Sequence, residues 1–124
     1  MPPSARNCLL LVEDDELVRM TVALMLEDDG FGVVEASSAH EALRLIRDGL
    51  QAAVLVTDVD LGAGPSGVQL ADDLRVLQPG IGIVLITGRP ASIGMRAGKA
   101  NEAVLAKPFQ GKDLSRLVRG VTGT

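Results

Sequence analysis

Aromatic side chains are nearly absent from these 124 residues: Phe31 and Phe109 are the only two, so any core must be aliphatic. Cysteine is used once. Cys8 has no partner for an internal disulfide, and within an apolar run it reads as a small buried hydrophobe rather than a redox thiol. His40 is the single histidine, with no second ligand type clustered beside it, and reads as a solvated surface residue. No apolar run approaches membrane-spanning length. The leader Met1–Asn7 is too short and polar for a signal peptide, which points to a cytoplasmic protein. A formal charge of −4 argues against a general nucleic-acid binder.

What is present reads as one soluble α/β domain over residues 1–124, with a core at about 8–121; 47% of residues are hydrophobic and 23% charged. Charge is uneven along it. Residues 1–88 hold 14 acidic and 5 basic residues, a balance of −9, while residues 89–124 hold 2 acidic and 7 basic, a balance of +5. The most conspicuous stretch is Leu9-Leu10-Leu11-Val12-Glu13-Asp14-Asp15-Glu16, an apolar run of strand length ending in four acids. Four adjacent like charges invite a hard divalent cation with oxygen ligands. An acidic first turn offsetting a helix macrodipole explains the same residues equally well.

Hydrophobic periodicity organises the rest of the chain. A strand over Cys8–Val12 leads to a helix at about Glu16–Asp28, with Val18, Val22 and Met25 beside Leu17 and Leu24 as its expected buried stripe. Phe31–Ala36 is β-branched and strand-like. Ser38-Ala39-His40-Glu41 is a capping box opening a helix through Asp48, with Ala42, Leu45 and Ile46 facing inward. Further strands are expected at Ala53–Thr57, Ile81–Ile86 and Ala103–Ala106, and further helices at about Val68–Leu77 and Lys112–Val121. Residues Arg89–Asn101 contain Pro90, Gly94 and Gly98, so a helix there should be short and weak. Five strands alternating with helices make a parallel sheet covered on both faces, a doubly wound α/β fold.

In such a sheet the carboxyl ends of all strands share one edge. Glu13 and Asp14 end the first strand, Asp58 the third, Thr87 the fourth and Lys107 the fifth. Three carboxylates, a hydroxyl and an ammonium on one edge fit a phosphoryl site: acids hold Mg²⁺, metal and lysine neutralise phosphate oxygens, and the hydroxyl donates to a third oxygen. One aspartate can then attack phosphorus and carry the phosphoryl group as a mixed anhydride. Taken singly, Thr87 could be a turn residue, Lys107 a surface charge and Asp58 a loop cap. Their coincidence at four strand ends is what separate explanations do not account for.

These residues resemble a known family, the receiver domain of two-component response regulators. The resemblance runs from the first strand to the last helix. It rests on Leu11-Val12-Glu13-Asp14-Asp15-Glu16, Thr57-Asp58-Val59, Ile86-Thr87-Gly88 and Ala106-Lys107-Pro108-Phe109. It implies a flavodoxin-like (βα)5 sheet in the order 2-1-3-4-5, with the fourth helix short or weak. Carried over by position, Asp58 is the phosphoacceptor. Asp14 binds Mg²⁺ directly, Glu13 reaches it mainly through water, and the Asp60 carbonyl is a backbone ligand. Thr87 turns inward to the phosphoryl group and Lys107 pairs with it. Pro108 matches a proline often preceded by a cis peptide, and Asp15 falls to a helix start.

Three departures stand out. Gly67 lies nine residues after Asp58, where the family's loop usually needs eight, so an altered loop with intact chemistry is expected. Val104 occupies the place of the aromatic switch residue. Switching must then run through Thr87 and the following segment, and phosphorylation is expected to order or shift residues 88–100. Lastly, Asp58-Val59-Asp60 resembles the D-x-D of haloacid-dehalogenase-type phosphatases, the alternative reading, although late metal-binding acids are nearly absent here. Asp60 and Arg89 could meet across the phosphoryl entrance and tune hydrolysis of the phospho-aspartate, although two solvated loop charges are the slightly favoured reading.

The function implied is a stand-alone phosphoacceptor switch with no catalytic turnover beyond self-phosphorylation and autodephosphorylation. Its implied cofactor is Mg²⁺, and its donor is a sensor histidine kinase or phosphotransfer protein. Output runs through binding to another protein, with weak homodimerisation allowed and neither nucleic acid nor membrane bound directly. Arg96, Lys99, Lys112, Arg116 and Arg119 would give the late helices a basic face suited to an acidic partner patch, or simply a solvated surface. A degenerate receiver used only for docking is the competing non-switch reading.

Overall fold

The computed structural model describes residues 8–89 and 101–122. Five strands, β1 (Cys8–Val12), β2 (Gly32–Ala36), β3 (Val54–Asp58), β4 (Gly82–Thr87) and β5 (Glu102–Ala106), form one sheet in the order β2-β1-β3-β4-β5. Every neighbouring pair is parallel. Four helices accompany them, α1 (Glu16–Asp28), α2 (Ala39–Arg47), α3 (Gly67–Leu77) and α4 (Gly111–Val121). The doubly wound fold and its strand order are those expected. The short, weak helix expected between β4 and β5 lies outside the described residues, as do Arg96 and Lys99 of the basic face. Lys112, Arg116 and Arg119 are exposed on α4, with the Arg119 guanidinium 5.3 Å from the Phe31 ring centroid.

Strand residues alternate between two aliphatic layers, as a sheet buried on both faces requires. Leu10, Val12, Leu55, Ile83 and Leu85 pack with α2 and α3, and Leu9, Leu11, Val56, Val84 and Ile86 pack with α1 and α4. Cys8 is buried and His40 exposed, as read from sequence. No helix among the described residues is long and apolar enough to cross a membrane.

Local chemistry sets the helix starts. Asp15 caps α1 by accepting from the Val18 N–H at 3.0 Å, which makes it the helix-start residue expected. Ser38 accepts from the Glu41 N–H at 3.1 Å, but the Glu41 carboxylate reaches back to the Ser37 N–H at 2.6 Å, one residue earlier than a regular capping box.

One expected burial pattern is corrected. In α1 the buried residues are Val22, Ala23 and Leu26, whereas Leu17 is 72% exposed, Leu24 59% and Val18 40%. Apolar residues occupy more than one side of this helix, so periodicity alone selects no face. Packing against β2 and α4 selects the side carrying Ala23 and Leu26. Leu45 and Leu117 are likewise half-buried at the flanks of their helices.

Candidate site at the carboxyl edge of the sheet

Register brings the strand-end residues side by side. Val12 pairs with Thr57, Asp58 with Ile86 and Thr87 with Ala106, so the residues at and just beyond these positions share one edge. Asp58 is buried, and both its carboxylate oxygens are engaged. Oδ2 accepts from the Lys107 ammonium at 2.5 Å and Oδ1 accepts from the Asp60 N–H at 3.0 Å. The peptide between Lys107 and Pro108 is cis.

Glu13 stands beside this pair and is also buried. Burial pushes its carboxyl up to about 7; the Asp15 N–H bonded to it at 3.0 Å opposes this, while hydrogen bonding to Asp58 and Asp14 and the Asp58 charge reinforce it. For Lys107, burial favours the neutral amine. The hydrogen bond and charge of Asp58, with Glu13 and Asp60 beyond, outweigh burial, and its pKa is raised above the ordinary lysine value. Among the described residues the edge therefore gathers Glu13, Asp14, Asp58 and Asp60 against Lys107 and the exposed Arg89, an excess of acidic groups.

The other sequence-derived candidates take varied places. Asp14 is exposed, and its Oδ2 lies 2.9 Å from where a Cβ on Gly62 would stand, so the long loop after β3 rests directly against this carboxylate. Thr87 is buried, with its hydroxyl accepting from the Arg89 N–H at 3.0 Å. The Arg89 guanidinium meets the Asp60 carboxylate at 3.6 Å, where the sequence leans slightly toward two separately solvated loop charges.

Glu13, Asp14 and Asp58 offer hard oxygen donors in one place, the set that suits Mg²⁺ or Ca²⁺. Among the described residues no group of three His, Cys, Asp or Glu side chains is arranged as a ready metal cage.

Sequence reasoning missed two supports. Arg19 from α1 donates through Nη1 to the Glu13 carbonyl at 2.9 Å and through Nε to Glu35 at 3.2 Å, tying the ends of β1 and β2 together. An arginine three positions into an acid-capped helix was the only available signal. The Thr57 hydroxyl, fully buried, donates to the Asp58 carbonyl at 2.9 Å. A threonine at the end of an otherwise aliphatic strand was its signal.

Parallel strands wound on both faces, with an acidic and lysine-bearing carboxyl edge, define a doubly wound α/β protein with a candidate ion and phosphate site at its edge. The chain belongs to the response regulator receiver domain family, whose profile matches residues 9–119. Among curated relatives, the transcriptional regulatory protein AfsQ1 of Streptomyces coelicolor is 32% identical over 115 residues, covering 91% of this chain and 50% of the relative. The crystal structure of a response regulator receiver protein from Sinorhizobium medicae is 28% identical with a TM-score of 0.86, covering 94% of each chain. The response regulator protein TrrA of Thermotoga maritima, solved in complex with Mg²⁺-BeF, shares the fold with a TM-score of 0.79 at 21% identity, covering 93% of this chain and 98% of that one. The chain spans from 12% to 50% of the length of the first two curated relatives it matches.

Proposed function

We propose that this receiver accepts a phosphoryl group on Asp58 from a phosphohistidine donor. The observation that carries the reading is the buried Asp58 carboxylate at the end of β3, held by Lys107 at 2.5 Å with the acids Glu13 and Asp14 alongside. In the transfer an Asp58 oxygen attacks phosphorus, the P–N bond to the donor imidazole breaks, and the nitrogen leaves with the bonding pair. Lys107 stays at the edge as the fixed cation facing the new phosphoryl oxygens, and Thr87 supplies the hydroxyl on the neighbouring strand end. Glu13, Asp14, Asp58 and the Asp60 carbonyl would hold Mg²⁺, which when bound offsets the repulsion between carboxylate and phosphoryl oxygens.

The donor is a sensor histidine kinase or a phosphotransfer protein. Its docking place is the face of α1 where Leu17, Val18 and Met25 line an open apolar hollow with Lys107, Pro108 and Phe109, and where Leu17 and Val18 are exposed. Output is a changed affinity for a protein partner, transmitted from Thr87 into the segment after it. Asp60 and Arg89 stand over the entrance, both more than three-quarters exposed, so their pairing adds little to stability. Their role is to govern water reaching the phospho-aspartate, and Asp60→Asn or Arg89→Ala changes the autodephosphorylation rate.

Incubation with acetyl phosphate, with and without Mg²⁺, tests the reading. Wild type gains the mass of one phosphoryl group only with Mg²⁺, and Asp58→Asn gains none. A chain that takes up no phosphoryl group acts as a docking module. Sustained turnover of an added phosphate ester marks a phosphatase.

A further inference from the structure

The backbone carbonyl of Asp58 is held more tightly than the sheet requires. β3 ends at this residue, and the next N–H, of Val59, donates to the Ile86 carbonyl at 2.9 Å. The Asp58 carbonyl itself accepts from the Thr57 hydroxyl at 2.9 Å, although Thr57 lies in an otherwise aliphatic strand and is fully buried. Gly67, the first residue of α3, then closes over the same atoms. Its N–H donates to the Val59 carbonyl at 2.8 Å. A Cβ at this position would stand 2.1 Å from the Asp58 carbonyl oxygen, 2.9 Å from its carbon and 3.0 Å from the Thr57 hydroxyl.

No side chain fits there without moving the Asp58 peptide, because the obstructing atoms are backbone rather than a flexible side-chain tip. Helix formation gives no reason for glycine at this position, since glycine is a poor helix residue.

We propose that Thr57 and Gly67 form a clamp on the Asp58 peptide and act as positioning residues for phosphoryl acceptance. The inference rests on Asp58 being the phosphoacceptor. Asp58 must hold one oxygen toward Lys107 and the other toward the Asp60 N–H, contacts of 2.5 and 3.0 Å that tolerate little displacement. The side chain can be that exact only if its own peptide is fixed. The hydroxyl fixes the carbonyl from the strand side, and the bare Cα of Gly67 fixes it from the helix side. Between Asp58 and Gly67 the loop turns through Gly62 and Gly64, both in the left-handed region at φ 72° and 91°.

The test compares Thr57→Val, Thr57→Ser, Gly67→Ala and Gly82→Ala with wild type, reading phosphorylation rate in acetyl phosphate and Mg²⁺ and unfolding midpoint. Gly82→Ala is the control: it drives a Cβ to 2.6 Å from the Val121 carbonyl, a comparable backbone clash at the opposite edge of the sheet. Rates are read well below every midpoint. Gly67→Ala slows phosphorylation by about tenfold or more and Thr57→Val by a few-fold, as small displacements of a reacting group do. Thr57→Ser, which keeps the hydroxyl, restores the rate, and Gly82→Ala loses stability with its rate unchanged.

Wild-type rates in both Gly67→Ala and Thr57→Val overturn the clamp. So does a Gly82→Ala rate that falls as far as that of Gly67→Ala for the same loss of stability. Should Gly67→Ala not fold, the Thr57→Val and Thr57→Ser pair decides: equal rates overturn the clamp, and a valine-only loss supports it. A wild-type chain that gains no phosphoryl group overturns the phosphoacceptor reading itself, a result distinct from any difference among variants.

Discussion

The two edges of the sheet are built from similar short connections and behave as opposites. At the amino edge, polar groups are matched one to one: the Gln78 side chain donates to the Leu50 carbonyl at 2.8 Å and accepts from the Ala52 N–H at 3.4 Å, and the buried Glu102 carboxylate at the start of β5 accepts from Arg75 at 3.0 Å. At the carboxyl edge, Glu13 and Asp58 are buried beside Lys107, with acids outnumbering bases among the described residues. One edge satisfies its polar groups and holds the fold together. The other keeps an acidic excess, which a bound cation would relieve on the reading proposed above.

The contrast breaks most visibly on substitution. Lys107→Ala is expected to slow phosphorylation from acetyl phosphate by about a hundredfold, the usual loss when a fixed cation is removed from a charge-developing site. Gln78→Ala leaves that rate unchanged and costs about 1–2 kcal/mol in urea unfolding, the cost of an unmet hydrogen bond. Equal rate losses at both edges would erase the distinction.

If the carboxyl edge holds Mg²⁺ as proposed, a proton on Glu13 competes with it. With the Glu13 carboxyl raised to about 7, Mg²⁺ binding below that pH must expel a proton. Apparent Mg²⁺ affinity, followed by titration calorimetry, should fall as pH drops from 8 to 6. Glu13→Gln binds more weakly and loses this dependence.

Docking should separate from chemistry on α1. Leu17→Asp slows transfer from a phosphohistidine protein about tenfold, as a charge placed in an apolar docking patch does, and leaves the acetyl phosphate rate unchanged. Loss of both rates would place Leu17 in the site rather than the docking face.

The metal-free fold carries the same imbalance. Glu13 is raised from 4.5 to about 7, so as pH rises through that window the unfolded chain sheds this proton first, and folding stability falls. Urea unfolding in chelator should show Glu13→Gln matching wild type in pH dependence below the window and exceeding it in stability above. The smallest effect belongs to Ser115, whose hydroxyl is buried on α4 with no hydrogen-bond partner among the described residues. Ser115→Ala should change stability by about 1 kcal/mol or less, toward stabilisation, with phosphorylation unaffected.

Much of this was legible in the residues themselves. The α1 bounds Glu16–Asp28 and the β1 bounds Cys8–Val12 agree with sequence periodicity because both elements end in strong local signals, an acidic cap and an apolar run. The pairing of Asp60 with Arg89 was only partly legible: each lies two residues past a strand end on the same edge, but exposed loop charges are as readily solvated separately. The inward face of α1 was not, because Leu17 and Leu24 are as apolar as the residues that pack, and only contact with β2 and α4 chooses between them. Nor was the approach of Gly67 to the Asp58 carbonyl, which depends on where α3 begins in space.

The most direct measurement is peptide mapping of the phosphorylated chain. After reaction with acetyl phosphate and Mg²⁺, the phosphoryl group should be found on the peptide carrying Asp58, removable by hydroxylamine as an acyl phosphate is. A phosphoryl group mapped to the His40 peptide and stable to alkali, or to a serine or threonine and stable to hydroxylamine, would contradict the assignment of the carboxyl edge as the phosphoacceptor site.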